Sequence, residues 1–340
     1  MQKIEPEMKE VLLVIPKEFQ NNKLFDVSDP RLNRDNCLEP CYKLKARLAE
    51  LGYDAKTMDM GSAQKAELIL FLDLVNTKDF FRLCLRKNLR NKMALFLWEP
   101  PSVAPESYNP SYHEHFKKIF TWNDDLVDNN RYFKFFIPQP PHSTPIKESP
   151  FKSKKLITSI TSNKSSKHPD ELYDERLSAI KYFARRHNKD FAFYGMGWKR
   201  KRSVTEIIKE LFSPSFFRCY GGTVKDKVQT MAQYKFSICY ENIKGLRGYI
   251  TEKIFDSFKA GCVPVYWGAE NVTEYIPENC FIDRRKFSSY DKLASFLTGM
   301  KEGEYLEYQK NIKDFLSSDK FKPFTTEHFV KTIIEGVLEK

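Results

Sequence analysis

One stretch of this chain, from Phe236 to Gly268, restricts the fold more than any other. A short apolar run is followed by a loop with two glycines, then by apolar residues at helical spacing, and then by a second apolar run. A strand, a helix and a second buried strand in this order form one βαβ unit, whose strands lie parallel in one sheet. The sequence therefore predicts an α/β fold built on a parallel sheet.

The loop of this unit leads into a predicted helix N-terminus that can bind an anion. We expect Thr251 to cap the helix, whose free N–H groups and positive dipole end favour a phosphate beside Thr251, Glu252 and Lys253. Arg247 and Lys253 would add charge-assisted contacts. From the residues alone, the alternative is that Glu252 stabilises the first helical turn and that Lys253 is a solvated surface charge.

The first half of the chain also alternates between strands and helical patterns. Its unbroken apolar runs are typical of parallel strands buried on both faces, so we predict a parallel, doubly wound sheet here as well. The strand candidates are Val11–Ile15, Tyr53–Met58, Leu68–Leu74 and Met93–Trp98.

A proline-rich stretch, Pro138–Lys155, divides the chain nearly in half. With 340 residues, of which 41% are hydrophobic, the chain is long and apolar enough for two domains with separate cores. We predict a first domain at residues 1–140, a linker at 141–154 and a second domain at 155–340. The last predicted helix can pack back onto the first domain.

A glutamate follows the predicted strand Met93–Trp98. Glu99 precedes two prolines, Pro100 and Pro101, which cannot continue a strand or an ordinary helix. A carboxylate at the carboxyl end of a parallel strand lies where open α/β sheets bind their ligands. From the residues alone, the alternative is a loop glutamate in water.

Three segments together resemble the donor-binding signature of the α1,3/α1,4-fucosyltransferases of glycosyltransferase family 10, which use GDP-fucose. They are Tyr240-Glu241-Asn242, Tyr249-Ile250-Thr251-Glu252-Lys253, and Gly261-Cys262-Val263-Pro264-Val265 followed by Gly268. The resemblance implies a GT-B fold, with two Rossmann-like doubly wound domains facing a cleft. It also implies that the first domain binds the acceptor and the second binds the GDP-sugar.

The resemblance further implies roles for individual residues. Glu99 would be the catalytic base, although this chain has Glu-Pro-Pro where the family has Glu-Ser-Pro or a similar turn. Arg176, on a predicted helix at Leu172–Phe183, would contact the donor pyrophosphate, and Glu252 would contact fucose. The remaining donor-binding residues implied are Asn242, Tyr249, Thr251 and Lys253.

The reaction implied is an inverting transfer of L-fucose from GDP-β-L-fucose to a glycan hydroxyl. The family default is an α1,3 linkage to GlcNAc of an N-acetyllactosamine-type or lipopolysaccharide glycan. Another GDP-deoxysugar as donor stays open, because the residues Ile243–Gly248 differ from the usual family sequence. No Asp-x-Asp triplet is present, and Asn123-Asp124-Asp125 is the nearest candidate, so we predict that no metal or other cofactor is required. Stimulation by Mn²⁺ or Mg²⁺ stays open.

The net charge of +11 indicates an anionic partner: a nucleotide, a nucleic acid or an anionic membrane surface. A non-catalytic nucleic-acid-binding protein is the competing class, suggested by this charge and by the basic run Lys199–Arg202, but no nucleic-acid motif is present. His113 and His115, two positions apart, make a poor metal site and are predicted to lie on the surface or on an acceptor-side loop.

Seven cysteines, an odd number, several of them in apolar runs, fit reduced thiols in the cytosol. The apolar run Val11–Ile15 is too short for a signal sequence or a membrane span. We therefore expect the bacterial, cytoplasmic type of family member, with peripheral contact to an anionic membrane.

Overall fold

The computed structural model describes residues 8–142, 146, 149–198 and 214–338. The chain forms two compact units. The first comprises Met1–Pro141 together with Lys322–Lys340, and the second comprises His142–Phe321. Each unit contains one parallel β-sheet with helices, which confirms the predicted α/β fold with two parallel sheets.

The sheet of the first unit has six parallel strands in the order β2-β1-β3-β4-β5-β6. The strands are β1 (Lys9–Val14), β2 (Tyr53–Thr57), β3 (Leu68–Leu72), β4 (Met93–Leu97), β5 (Lys118–Thr121) and β6 (Tyr132–Lys134). The helices that connect them are α1 (Glu39–Glu50), α2 (Lys78–Arg86) and α3 (Pro110–His113). All residues of β4 are buried, as expected for a strand covered on both faces.

The core of the first unit is rich in aromatic rings. Phe71 of β3, Phe81 of α2 and Phe116 lie with their ring centroids 5.4 to 6.0 Å apart. The offset and edge-on arrangements that they adopt are the ones that aromatic pairs favour. The predicted strand Leu68–Leu74 ends earlier, at Leu72, because Asp73 takes a left-handed conformation with φ of +60° and turns the chain.

The sheet of the second unit has five parallel strands in the order β11-β10-β9-β7-β8. The strands are β7 (Lys155–Ile160), β8 (Phe191–Tyr194), β9 (Tyr234–Tyr240), β10 (Val263–Trp267) and β11 (Ile282–Asp283). Within the described residues, the helices of this unit are α4 (Tyr173–Arg186), α5 (Pro214–Arg218), α6 (Lys227–Met231), α7 (Glu252–Lys259), α8 (Val272–Tyr275), α9 (Tyr290–Gly299) and α10 (Glu302–Leu316).

The predicted βαβ unit is present as β9, α7 and β10, and its two strands pair in parallel. Helix α7 buries Ile254, Phe255 and Phe258, the apolar residues at helical spacing. The helix stops because Gly261, just beyond its C-terminus, takes a positive φ of +60° that other residues adopt only with strain.

The last helix, α11 (Thr326–Leu338), belongs to the first unit. The hydroxyl of Thr326 donates to Glu39 of α1 at 2.5 Å, and Lys43 of α1 forms an ion pair with Glu327 at 2.7 Å. No helix within the described ranges is long and apolar enough to cross a bilayer.

The contact between α11 and β5 leads to a stability prediction. A Cβ on Gly336 would lie 2.5 Å from Cε1 of Phe120, a buried ring that stacks on Phe96 at 4.7 Å. Gly336→Ala should therefore destabilise the protein by about 1–3 kcal/mol in urea unfolding, because the ring has little room to move. The control is Gly303→Ala in α10, where a Cβ meets nothing within 4 Å. Alanine should be neutral or mildly stabilising there, and equal effects at the two sites would contradict the prediction.

Candidate functional site

The second sheet reverses its strand order between β7 and β9. From β7 the chain passes to β8 on one side, and β9, β10 and β11 then follow on the other side. Open α/β sheets bind ligands at the carboxyl ends of the strands that flank such a switch point. Here those ends lead into Thr161 after β7 and into Glu241 and Asn242 after β9.

Arg176 of α4 connects the two strand ends at this switch point. Its side chain is only 5% exposed. Nη1 donates to Thr161 Oγ1 at 2.8 Å, and Nη2 donates to the carbonyl oxygens of Tyr240 and Glu241 at 2.8 and 2.7 Å. A weaker bond of 3.4 Å reaches Asn242 Oδ1. The planar guanidinium thus ties both loops together, which a single ammonium could not do with the same geometry.

Glu241 is a functional candidate that the sequence analysis did not single out. Its side chain is fully buried, with 0% exposure. Oε1 accepts from the N–H of Thr251 at 2.9 Å, and Oε2 accepts from the Thr251 hydroxyl at 2.7 Å and from Lys253 Nζ at 3.1 Å. A protein carboxylate therefore lies at the N-terminus of α7, where the sequence analysis expected a phosphate. The available signal was an acidic residue directly after the mostly apolar strand β9, inside the signature segment Tyr240-Glu241-Asn242.

Thr251 is the N-cap of α7, as predicted, and its hydroxyl accepts from the N–H of Lys253 at 3.4 Å. The Lys253 side chain is 25% exposed, so it is not the solvated surface charge of the alternative interpretation. Burial acts to lower the pKa of Lys253, but the carboxylates of Glu241 and Glu252 outweigh it and the pKa is raised.

Glu252 lies at the edge of this cluster, with half of its side chain exposed. Its Oε1 is 3.7 Å from Lys253 Nζ. Desolvation acts to raise the pKa of Glu252, but the positive charges of Lys253 and Lys227 lower it to about 2. Glu252 is thus held as a carboxylate at neutral pH.

Asn242 and Tyr249 complete the cluster. Asn242 Nδ2 donates to the Tyr249 hydroxyl at 3.5 Å, and the Tyr249 side chain is buried. Arg247, predicted to add a charge-assisted contact to a phosphate, donates to both oxygens of the Glu274 carboxylate, at 3.0 and 3.1 Å. The structure therefore brings together six predicted residues around Glu241: Arg176, Asn242, Tyr249, Thr251, Glu252 and Lys253.

Glu99 belongs to the first unit, whereas the cluster belongs to the second. It follows β4, and the N–H groups of Trp98 and Glu99 donate to the two oxygens of Asp73 at 3.1 and 2.9 Å. The hydroxyl of Tyr108 donates to the Glu99 carbonyl oxygen at 2.8 Å. The backbone that carries Glu99 is thus held from two sides.

Asp73 is the second residue that the sequence analysis missed. Burial raises its pKa to about 7, and the nearby Glu99 adds to the rise, although the two backbone donors act against it. Asp73 follows β3 and Glu99 follows the adjacent parallel strand β4, so their strand order was the signal that could have placed them together.

The two histidines do not form a metal site. His113 is buried, so the first of its two predicted locations, the surface, is wrong, and the acceptor-side loop stays a prediction. Its ring nitrogens lie 2.9 Å from the Tyr132 hydroxyl and 2.7 Å from the Ser107 carbonyl oxygen. His115 is partly buried and its ring lies 5.7 Å from that of Phe81. Within the described part of the chain, no group of three or more His, Cys, Asp or Glu side chains could hold a metal ion.

The basic run Lys199–Arg202 lies outside the described residues.

Comparison with known protein families gives one match that includes the whole cluster. The model of glycosyltransferase family 10 (fucosyltransferase), C-terminal part, matches residues 153–331, more than half of the chain.

Curated proteins give matches over shorter segments. This chain is 34% identical over 91 residues to an α-(1,3)-fucosyltransferase, FucT, of Helicobacter pylori, which is 27% of this chain and 18% of that protein. It is 38% identical over 80 residues to an α-(1,4)-fucosyltransferase of Arabidopsis thaliana, covering 23% and 20%. It is 34% identical over 122 residues to mouse 4-galactosyl-N-acetylglucosaminide 3-α-L-fucosyltransferase 9, covering 34% of each. The matches thus span about a fifth to a third of these relatives' lengths.

Solved structures match over nearly the whole chain. A crystal structure of an α1,3-fucosyltransferase superposes with a TM-score of 0.56 at 13% identity, covering 100% of this chain and 92% of that one. The structure of Anabaena Alr3699/HepE with UDP and glucose gives a TM-score of 0.56 at 12% identity, covering 98% and 100%. These similarities confirm the GT-B-like fold.

Proposed function

Because the chain belongs to glycosyltransferase family 10, the fucosyltransferases, we propose that it transfers L-fucose from GDP-β-L-fucose to a hydroxyl group of a glycan. The observation that carries the proposal is the cluster at the switch point of the second sheet. There a buried arginine and a partly exposed lysine lie beside the carboxyl ends of β7 and β9. The matched family region, residues 153–331, contains every residue of that cluster.

In the proposed donor site, basic side chains neutralise the negative charge of the diphosphate. The ammonium of Lys253 is partly exposed to solvent, where it can pair with a phosphate oxygen. The guanidinium of Arg176 has five N–H groups, enough to donate hydrogen bonds both to the protein and to the pyrophosphate. Asn242 and Tyr249 hold nucleoside and phosphate, and Glu252, half exposed and ionised, contacts fucose. These pre-positioned charges stabilise the GDP leaving group as the glycosidic bond breaks.

We propose that this charge arrangement makes a metal ion and any other cofactor unnecessary. A bound metal ion would neutralise the diphosphate, and in the proposed site the cations Arg176 and Lys253 supply positive charge for that purpose. Mn²⁺ or Mg²⁺ can still stimulate turnover by binding the released GDP.

For the acceptor half of the reaction we propose Glu99 as general base. Its carboxylate accepts the proton of the attacking hydroxyl, which attacks the anomeric carbon from the face opposite GDP and inverts it. The acceptor proposed is GlcNAc in an N-acetyllactosamine-type or lipopolysaccharide glycan, linked α1,3. The name of the mouse relative, which specifies a 4-galactosyl-N-acetylglucosaminide, supports this acceptor class.

We also propose that the protein is of the bacterial cytosolic type and contacts an anionic membrane peripherally. The seven cysteines are all free thiols, and five of them are buried, which fits a reducing compartment. The net charge of +11 favours an anionic membrane surface.

The test is calorimetric titration of the purified protein in excess EDTA with GDP-fucose, GDP and a UDP-sugar. We expect micromolar, GDP-selective binding that Lys253→Ala abolishes, because this variant removes the more exposed of the two cations proposed to bind the diphosphate. Lys181→Ala, an exposed residue of α4, is the matched control and should bind normally. Failure to bind any guanine nucleotide would contradict the donor proposal. Binding that appears only after Mn²⁺ or Mg²⁺ is added would overturn the metal-free site. Binding of GDP with rejection of GDP-fucose would indicate another GDP-deoxysugar.

A further inference from the structure

The carboxylate of Glu241 holds together the residues proposed to bind the donor. It accepts three hydrogen bonds, two from Thr251 and one from Lys253. A buried carboxylate is stable only when it is paired and hydrogen-bonded, and these donors meet that need without any ligand. Because the side chain is fully buried, a substrate reaches it only through these neighbours.

The protein also holds the backbone and the stem of Glu241 firmly. Its N–H donates to the Trp267 carbonyl oxygen at 2.8 Å, and its own carbonyl oxygen accepts from Arg176 at 2.7 Å. On the other side, a Cβ on Gly268 would lie 2.4 Å from Glu241 Cγ. Only glycine at this position leaves room for the glutamate stem.

Charges in the cluster are balanced before any donor arrives. Lys253 faces two carboxylates, Glu241 from the end of β9 and Glu252 from its own helix, and one cation, Arg176 from α4. Glu241 is the nearer of the two carboxylates, at 3.1 Å against 3.7 Å. Without Glu241, a mostly buried ammonium would lie beside a buried guanidinium with only half-exposed Glu252 to compensate it.

We propose that Glu241 is a positioning residue of the donor site. It keeps the Lys253 side chain protonated and fixes its orientation, and it holds the N-terminus of α7 in place. It acts through Lys253 and Thr251 and does not contact the sugar nucleotide. The inference rests on the proposed function, because it assigns Lys253 a role in binding the diphosphate.

The first test reads the state of Lys253 directly, without any substrate. Competitive acetylation with acetic anhydride across a pH series, followed by mass spectrometry, gives the pH midpoint at which each lysine becomes reactive. In the wild-type protein we expect the midpoint of Lys253 to lie above that of the exposed Lys181. In Glu241→Gln, which keeps the shape and removes the charge, it should fall by about one pH unit or more, because an opposite charge at this distance shifts a pKa by that amount. Lys181 should not change.

The second test separates positioning from folding. Glu241→Gln should lower kcat/KM for GDP-fucose by about 10²-fold, since small displacements of a substrate-binding group have effects of this size. Its KM for the acceptor should stay within about twofold, because Glu241 acts on the donor side only. In a Lys253→Met background, Glu241→Gln should have little further effect on donor affinity, as expected for two residues that act as one unit.

The outcomes are distinct. An equal midpoint for Lys253 in the wild type and in Glu241→Gln would overturn the inference, whatever the protein binds. If Glu241→Gln does not fold, the acetylation of the wild-type protein across the pH series tests the proposal alone. A midpoint of Lys253 at or below that of Lys181 overturns the proposal, and a midpoint above that of Lys181 supports it. If the wild type binds no guanine nucleotide, the proposed function fails while the acetylation result on Glu241 and Lys253 still stands.

Discussion

Glu99→Gln is expected to reduce turnover with GDP-fucose and an N-acetyllactosamine acceptor by about 10²- to 10⁴-fold, the usual contribution of a general base. Glutamine has the shape of glutamate but cannot accept the proton of the acceptor hydroxyl. The backbone of residue 99 is bonded to Asp73 and Tyr108 through main-chain atoms, so the exchange should leave the loop in place. Steady-state kinetics measures kcat, and calorimetry should show unchanged binding of GDP-fucose.

A neighbouring glutamate provides the control for this prediction. Glu106 is exposed and forms an ion pair with Lys78 at 2.7 Å. Glu106→Gln changes the same charge in the same unit, and an exposed pair of this kind contributes at most about 1 kcal/mol. Its turnover should be close to that of the wild type. A Glu99→Gln protein with normal kcat would exclude Glu99 as the base and would leave the donor site untouched.

Arg176→Met is expected to lower the free energy of unfolding by about 2–5 kcal/mol and to abolish GDP binding. Methionine fills much of the space but leaves the buried carbonyl oxygens of Tyr240 and Glu241 without this donor, at about 1–3 kcal/mol for each unsatisfied group. The link from β9 to Thr161 after β7 is lost as well. Urea unfolding followed by circular dichroism measures the stability, and calorimetry measures the binding.

Arg185→Met on the same helix is the matched control for Arg176→Met. Arg185 is exposed, and surface substitutions usually change stability by less than about 0.5 kcal/mol. If both variants lose the same stability, the buried contacts of Arg176 are not what stabilises the switch point. If Arg176→Met unfolds more easily but binds GDP normally when folded, Arg176 is structural and has no part in the donor site.

Several features of this protein could be predicted from the sequence because they depend on local patterns. The parallel sheets follow from unbroken apolar runs such as β4, and the unit β9-α7-β10 follows from the change of hydrophobic period between Phe236 and Gly268. The N-cap at Thr251 is equally local, since it depends on one side chain and the helix that follows it. Lys253 was identified from the order of polar residues in the family signature, and Arg176 from the wider resemblance to the family.

Other features depend on residues that are distant in sequence, and no local pattern contains them. Arg176 bonds to a carbonyl oxygen 64 positions away, and Asp73 bonds to the N–H of Glu99 26 positions away. These partners meet only because the sheets place β7 beside β9 and β3 beside β4, an order set by how all the helices and strands pack together. Glu241 is the clearest example. The sequence includes it in the signature segment Tyr240-Glu241-Asn242 without assigning it partners. The tertiary structure buries it, and a buried carboxylate must take its hydrogen-bond donors from the protein.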